Sequence, residues 1–353
     1  MYRVPYRYRY TRRPSLMSAR RTPRPAAACR SVSRAPSSSY RALAETVLGA
    51  GILPFATFAP PADMQYDNWY KHSSLGAYRE LVDLLVRHAG PASYLVEVGS
   101  FIGNSATTWA KALRRSGWAS NCSVLCIDTW LGDVKMWRDR GKWLGTQGSA
   151  GEPRLFEQFL LNVRGNGVDD LVLPLRASSI VGLKLLNDLV NEKKLPRPRV
   201  IYLDAAHEQA ETSLEMRAAW QLLAPEGFLV GDDFHATWPG VQMAVHEFVT
   251  HDKDVVPVHE YACAWPFAKQ LRVLKSSAWP HGPGVVLLGR QWLMQKRRDA
   301  SAKRRYANVE LVKASFTLGT SLWPCACNWS SSQPSACDAT VTWRFDVPIT
   351  RAG

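Results

Sequence analysis

The run Glu97-Val98-Gly99-Ser100-Phe101-Ile102-Gly103-Asn104-Ser105 follows a strand-like apolar segment and opens a helical one, with an acid just ahead of two glycines. Glycine lets the backbone approach a ligand closely, and a helix N-terminus attracts anionic groups. Only Gly99 and Gly103 are present, so the three-glycine dinucleotide fingerprint is not met. A carboxylate at Glu97 would also repel a pyrophosphate, whereas it suits an ammonium. Asp128 ends a second strand-like run and is placed to accept hydrogen bonds from ribose hydroxyls. An adenosine with a cationic amino-acid tail satisfies both acids, and S-adenosylmethionine (SAM) is such a molecule. The alternative readings are a solvated strand end at Glu97 and a helix cap at Asp128.

A second group of polar residues follows two further apolar runs: Asp204 with His207, then Asp232 and Asp233 after Gly231. In an open α/β sheet, ligands bind outside the carboxyl ends of the strands. Three carboxylates meeting there repel one another unless a positive charge sits among them. A hard divalent cation such as Mg²⁺ or Mn²⁺ would meet that need with oxygen ligands. The plainer alternative is one Asp as a helix cap, one in a salt bridge, and His207 as a polar residue at a helix start. His235 is a reserve candidate; His246, His251, His259 and His281 have no partner spacing.

These residues need a scaffold that brings strand ends together, and the pattern supplies one. Regular structure is expected from about Tyr66, with Leu75, Tyr78, Val82, Leu85 and Val86 at helical spacing. Strand-like runs at 94–98, 124–127, 171–173, 200–203 and 228–230 then alternate with helical stretches at 105–113, 155–163 and 180–190. Two more helices are marked by Leu214, Ala218 and Leu222 and by Val241, Val245 and Phe248. This alternation predicts an α/β fold with a mostly parallel sheet covered on both faces. The loop 129–151, with Trp130, Trp137 and Trp143 among Arg138, Arg140 and Lys142, is long enough to act as a lid. Its tryptophans could stack on a sugar or planar ring, or pack onto the domain surface.

The net charge of +14 is unevenly distributed. Residues 1–44 contain eleven Arg and no acid, residues 45–290 carry 24 basic against 26 acidic side chains, and residues 291–353 carry nine against four. A basic groove in the central domain is therefore not expected. The Arg- and Ser-rich first 44 residues read as a disordered organelle transit peptide, plastid or mitochondrial. A basic arm touching nucleic acid or anionic lipid is the other reading. Residues 45–65 are an apolar linker or targeting segment, and its stretch 46–59 is short for a membrane span, though a signal-anchor tether stays open. Residues 291–353 read as an accessory or disordered tail. Seven irregularly spaced cysteines do not suggest a disulfide framework, since Cys122 and Cys126 would lie about 13 Å apart on one strand.

Taken together, Glu97–Ser105, Asp128, Asp204-Ala205-Ala206-His207 and Gly231-Asp232-Asp233-Phe234 resemble the class I SAM-dependent methyltransferases. The nearest branch is the group of macrocin and mycinamicin sugar O-methyltransferases with the cephalosporin-hydroxylase-like proteins. Trp238-Pro239-Gly240-Val241 resembles the segment after the fifth strand in that group, and the likeness spans roughly residues 66–290. The resemblance implies a Rossmann-like, doubly wound, seven-stranded sheet with one antiparallel strand. It implies a cofactor site at Glu97, Gly99, Ser100, Gly103, Asn104, Ser105 and Asp128, with Ser178 near the adenine. It further implies a cation at Asp204, Asp232 and Asp233, His207 as base, and a small molecule or sugar with a hydroxyl as methyl acceptor. A catalytically silent SAM-binding protein and an RNA methyltransferase tethered by its basic ends are the competing expectations.

Overall fold

Short runs of Val, Leu and Ile with no polar alternation form strands buried on both faces, and here they form the centre of one sheet. The computed structural model describes residues 34–66, 75–90, 94–138, 151–251, 254–256, 272–275, 284–298 and 321–324. Most of the Arg-rich leader, Trp143, His259, His281 and the tail cysteines lie outside the described residues. Strands β1 (Tyr94–Val98), β2 (Ser123–Asp128), β3 (Val172–Arg176), β4 (Val200–Leu203) and β5 (Phe228–Gly231) pair in parallel. Their order is β3-β2-β1-β4-β5, and it continues through β8 (Gln291–Gln295) and β7 (Val285–Leu288). Of these seven strands only β8 runs antiparallel, as the resemblance implies. Beyond β7 the sheet is extended by β6 (Arg272–Lys275) and β9 (Ser321–Pro324), giving nine strands among the described residues.

The two sheet faces are covered by different helices. One core cluster joins Leu95, Val124, Cys126, Tyr202 and Val230 to α2 (Leu75–Ala89), α3 (Asn104–Arg115) and α5 (Leu155–Gly165). The other joins Val96, Leu125, Ile201 and Leu229 to α1 (Ser38–Leu48), α6 (Ser179–Asn191), α7 (Gln209–Leu222) and α8 (Pro239–His251). A short α4 (Val134–Arg138) lies within the Trp-rich loop. Odd and even strand positions thus face opposite ways, as a period of two requires.

Three sequence expectations need correction. Regular structure starts before Tyr66: α1 lies inside the stretch expected to be a disordered leader and linker. Ser37 caps it by accepting from the Tyr40 amide at 3.2 Å, and Tyr40, Leu43 and Ala44 are buried. The Tyr40 hydroxyl donates to the Val172 carbonyl at 3.1 Å, fixing the helix to the edge of β3. Second, the apolar stretch 46–59 is a strap on the domain. Phe55 is buried, and Arg164 donates to the carbonyls of Phe55 and Phe58. No helix among the described residues is long and apolar enough to cross a membrane. Third, the domain does not stop at residue 290, because β8 lies between β5 and β7 with Trp292, Leu293 and Met294 buried.

Candidate active site

Positions of one parity at the ends of four neighbouring strands carry acids. Glu97 on β1 shares a face with Leu95, Asp128 on β2 with Cys126, Asp204 with Tyr202 and Asp232 with Val230. Parallel pairing aligns these ends, and the ladder continues past them: Gly99 N donates to Ile127 O, Asp204 N to Val98 O and Asp232 N to Leu203 O. Strand order reverses between β1 and β4, so a crevice opens there. Gly99 makes the close approach possible. Its φ is +83°, and a Cβ there would sit 2.3 Å from the Asp204 carbonyl.

Glu97 is fully buried, and its Oε2 accepts from Ser100 Oγ at 3.2 Å and Cys126 Sγ at 3.3 Å. Oε1 has no hydrogen-bond partner of ordinary geometry. Burial pushes the carboxyl up to about 7, although Ser105, Cys126 and Ser100 favour its charged form. A buried acceptor of this kind fits the ammonium group of a SAM-like cofactor. Asp128 does something the sequence did not reveal. Its Oδ2 accepts from the amides of Ser100 and Phe101, both at 2.9 Å, and its Oδ1 from the Trp130 amide at 2.6 Å. The carboxylate clamps the glycine-rich turn, so a ribose would have to share it. Burial raises the Asp128 pKa against these three amides.

Gly103 and Asn104 start α3, where Gly103, at φ +88°, lets the turn pass Phe159. Ser178, exposed at the end of β3, caps α6 by accepting from the Val181 amide at 3.4 Å. Trp130 is a pillar of the core: its indole lies 4.8 Å from Phe156 and 4.9 Å from Phe159, and its Nε1 donates to Phe101 O at 2.7 Å. That contact settles the packing alternative for Trp130, whose faces are closed to a ligand. The middle of the loop, 139–150, lies outside the described residues.

The second acidic group assembles around His207. Its Nε2 lies 2.8 Å from Asp233 Oδ2, and its ring stacks on Trp238 at 4.1 Å and 21°. Asp204, His207 and Asp233 bring one donor atom each within 4.8 Å of one another. Asp233 has a left-handed backbone, φ +61°, which Asp tolerates better than most residues. Gly240 explains the Trp-Pro-Gly run: a Cβ there would sit 2.4 Å from the His207 carbonyl, so α8 starts against the backbone that carries the imidazole. Glu215, buried on α7, accepts from the Ala206 amide at 3.3 Å, and its pKa is raised by burial.

Asp232 stands apart from this trio. Its Oδ1 accepts from the Asp233 amide at 2.6 Å, and its Oδ2 from Tyr202 at 3.3 Å and Gln291 at 3.2 Å. Burial, with the charges of Asp232 and Glu97, holds Asp204 well above the usual carboxylate range, while Arg290 and Tyr202 act the other way. Arg290, Gln291, Trp292 and Tyr202 are the site residues that sequence reasoning missed. Arg290 pairs with Asp233, and Trp292 Nε1 donates to the Asp232 carbonyl at 3.2 Å. The sequence signal for Arg290 and Gln291 was a polar turn, Gly289-Arg290-Gln291, whose partners lie nearly sixty residues earlier. His235 does not join; it is exposed and bonds Thr237 at 2.9 Å.

Residues 96–234 match a family model described as a methyltransferase domain. Among solved structures, the chain is similar to an O-methyltransferase from Bacillus cereus in complex with SAH, at 15% identity and a TM-score of 0.38, covering 67% of this chain and 84% of that one. It is also similar to the O-methyltransferase TomG from Streptomyces achromogenes, involved in tomaymycin synthesis and solved with SAM. That match has 15% identity and a TM-score of 0.36, and covers 74% of this chain and 90% of that one. No curated protein matches the chain. Residues 96–234 thus form a SAM-dependent methyltransferase domain, with the acid-then-glycine turn and the sheet that the resemblance to the class I enzymes implies.

Proposed function

We propose that the acceptor is a hydroxyl of a small molecule or sugar, that His207 takes its proton, and that Mg²⁺ or Mn²⁺ assists. The observation that carries this reading is the His207–Asp233 contact of 2.8 Å beside Asp204. A hydroxyl is a poor nucleophile until its proton leaves, so a positioned base has work to do. With Nε2 donating to Asp233, Nδ1 is the ring nitrogen that accepts a proton. Asp233 then favours the imidazolium, and stacking on Trp238 fixes the ring plane. Two carboxylates and an imidazole within 4.8 Å suit a divalent cation, with Asp204 and Asp233 as its oxygen ligands and Asp232 behind them. Such an ion, when bound, would supply Lewis acidity toward the acceptor oxygen. SAM, when bound, would supply the methyl group, with Glu97 holding its ammonium and the turn at 99–105 aligning it.

The test is SAH release from SAM with a panel of hydroxylated sugars and phenols. Turnover should fall with EDTA and return with Mg²⁺ or Mn²⁺. His207→Ala should retain SAH binding while losing about 10²–10⁴ in turnover. Turnover that survives both EDTA and His207→Ala would overturn the assignment. The Arg-rich leader supports import into an organelle as part of the same reading, tested by finding the shortened protein in a plastid or mitochondrial fraction.

A further inference from the structure

Three consecutive residues, Arg290 in the β7–β8 turn and Gln291 and Trp292 at the start of β8, close around the Asp232–Asp233 pair. The Arg290 guanidinium pairs with Asp233 Oδ1, and the Arg290 carbonyl accepts from the Phe234 amide at 2.9 Å. Gln291 Nε2 donates to Asp232 Oδ2 at 3.2 Å, and Trp292 Nε1 to the Asp232 carbonyl at 3.2 Å. Gly231 makes room for this clasp, since a Cβ there would meet the Trp292 ring at 2.2 Å. The positive charge that the acids require is therefore already present as a side chain of the same protein.

We propose that Arg290 is a resident counter-cation that competes with a divalent ion for Asp233. The proposal rests on the reading of Asp204 and Asp233 as the oxygen ligands of a cation site beside His207. Two observations support it. Asp233 shares its two oxygens between Arg290 and His207, so an ion drawing on that carboxylate meets the guanidinium first. Second, the Arg290 side chain is 51% exposed while Asp233 is 12% exposed. The guanidinium can thus swing into solvent while the carboxylate stays in place. Two cations a few ångströms apart repel strongly in a half-buried site, so occupancy by one opposes the other. With Arg290 seated, the acids are compensated and the fold is stable; with Arg290 displaced, the same oxygens are available to the ion.

Mn²⁺ titrations followed by electron paramagnetic resonance, on the full chain and on Arg290→Gln, test this. Competition predicts Mn²⁺ affinity at least tenfold tighter in Arg290→Gln than in the parent. Arg290→Lys, which keeps a charge on a shorter and more flexible arm, should fall between them. Mn²⁺ should also raise the melting temperature of Arg290→Gln more than that of the parent, because a tighter ligand stabilises more. This second readout uses Arg290→Lys in place of Arg290→Gln if the latter does not fold. Equal or weaker Mn²⁺ binding in the variants would overturn the competition while leaving the cation site intact. No Mn²⁺ bound by any of the three proteins would remove the cation site itself, and the competition with it.

Discussion

Glu97 gives the sharpest test of the cofactor side, because its burial has a measurable consequence for stability. Its pKa rises from an ordinary value near 4.5 to about 7, with burial as the main cause. An acid whose folded pKa lies above its unfolded one binds more protons when folded. Its contribution is fully present below the unfolded value and is lost as pH rises through the folded value. At 1.36 kcal/mol per pH unit, the interval from 4.5 to about 7 amounts to about 3 kcal/mol, lost by the time the solution is above neutrality. Glu97→Gln keeps the shape and removes the titration. Urea unfolding of parent and variant across about pH 5 to pH 8.5 should therefore show a gap that opens with pH in the variant's favour, approaching 3 kcal/mol. The difference between the two proteins is the quantity to read, since Asp128, Asp204 and Glu215 are also raised and shape the parent's own profile. The same charge should matter for the ligand. An ammonium beside Glu97 lowers its pKa, so SAH binding near pH 6 should release close to one proton, visible by calorimetry in buffers of different ionisation heat. A stability gap that stays flat with pH, with no proton released on SAH binding, would refute the argument from burial.

Gly240→Ala should lose about 1–3 kcal/mol in urea unfolding, because the new Cβ meets the His207 carbonyl and the Gln209 amide, both of them backbone. Asp128→Ala should cost about 1–3 kcal/mol of stability as well as SAH affinity, since it leaves three turn amides without their acceptor. A loss confined to SAH affinity would instead favour a pure ribose contact. Tyr40→Ala should cost about 3–5 kcal/mol by the measure of large aromatic truncations in a core, and Tyr40→Phe about 1 kcal/mol for the bond to Val172. The same packing limits where an imported, processed form can start: N-terminal sequencing should place it before Ser37, because a later cut removes the cap and then the anchor of α1.

Most of the central sheet was legible because parallel strands buried on both faces are short unbroken apolar runs, and their ends carry the polar residues. The strand-end acids could be placed on the same grounds. What could not be read was their company. Asp128 ends a strand whether it faces a sugar or a turn, and only the path of Ser100 and Phe101 decides between them. Arg290 was out of reach because its meeting with Asp233 depends on β8 entering the sheet beside β5, a long-range pairing with no local signal. The helix at 38–48 is a different kind of miss. Ser37 ahead of Tyr40, Leu43 and Ala44 is a cap with an apolar stripe, but the density of Arg and Ser around it made the composition of a leader the louder signal.

The sheet also explains why the acids divide into two working groups. Strand parity puts Glu97, Asp128, Asp204 and Asp232 on the face covered by α2, α3 and α5, where burial raises the pKa of the first three and neighbouring carboxylates add to the rise at Glu97 and Asp204. Asp233, one residue later, would face the other way in an extended chain, and its left-handed backbone turns it toward His207 and Arg290. There Trp238 and Phe234 pack against the core beneath α8. In the proposed reaction the two faces have different tasks: one binds a cationic cofactor, and the other removes a proton. Asp204 belongs to both, paired through Tyr202 with Asp232 and within reach of His207. It stands where the strand order reverses and the crevice opens, so a methyl donor held on one side and a hydroxyl held on the other would meet beside it.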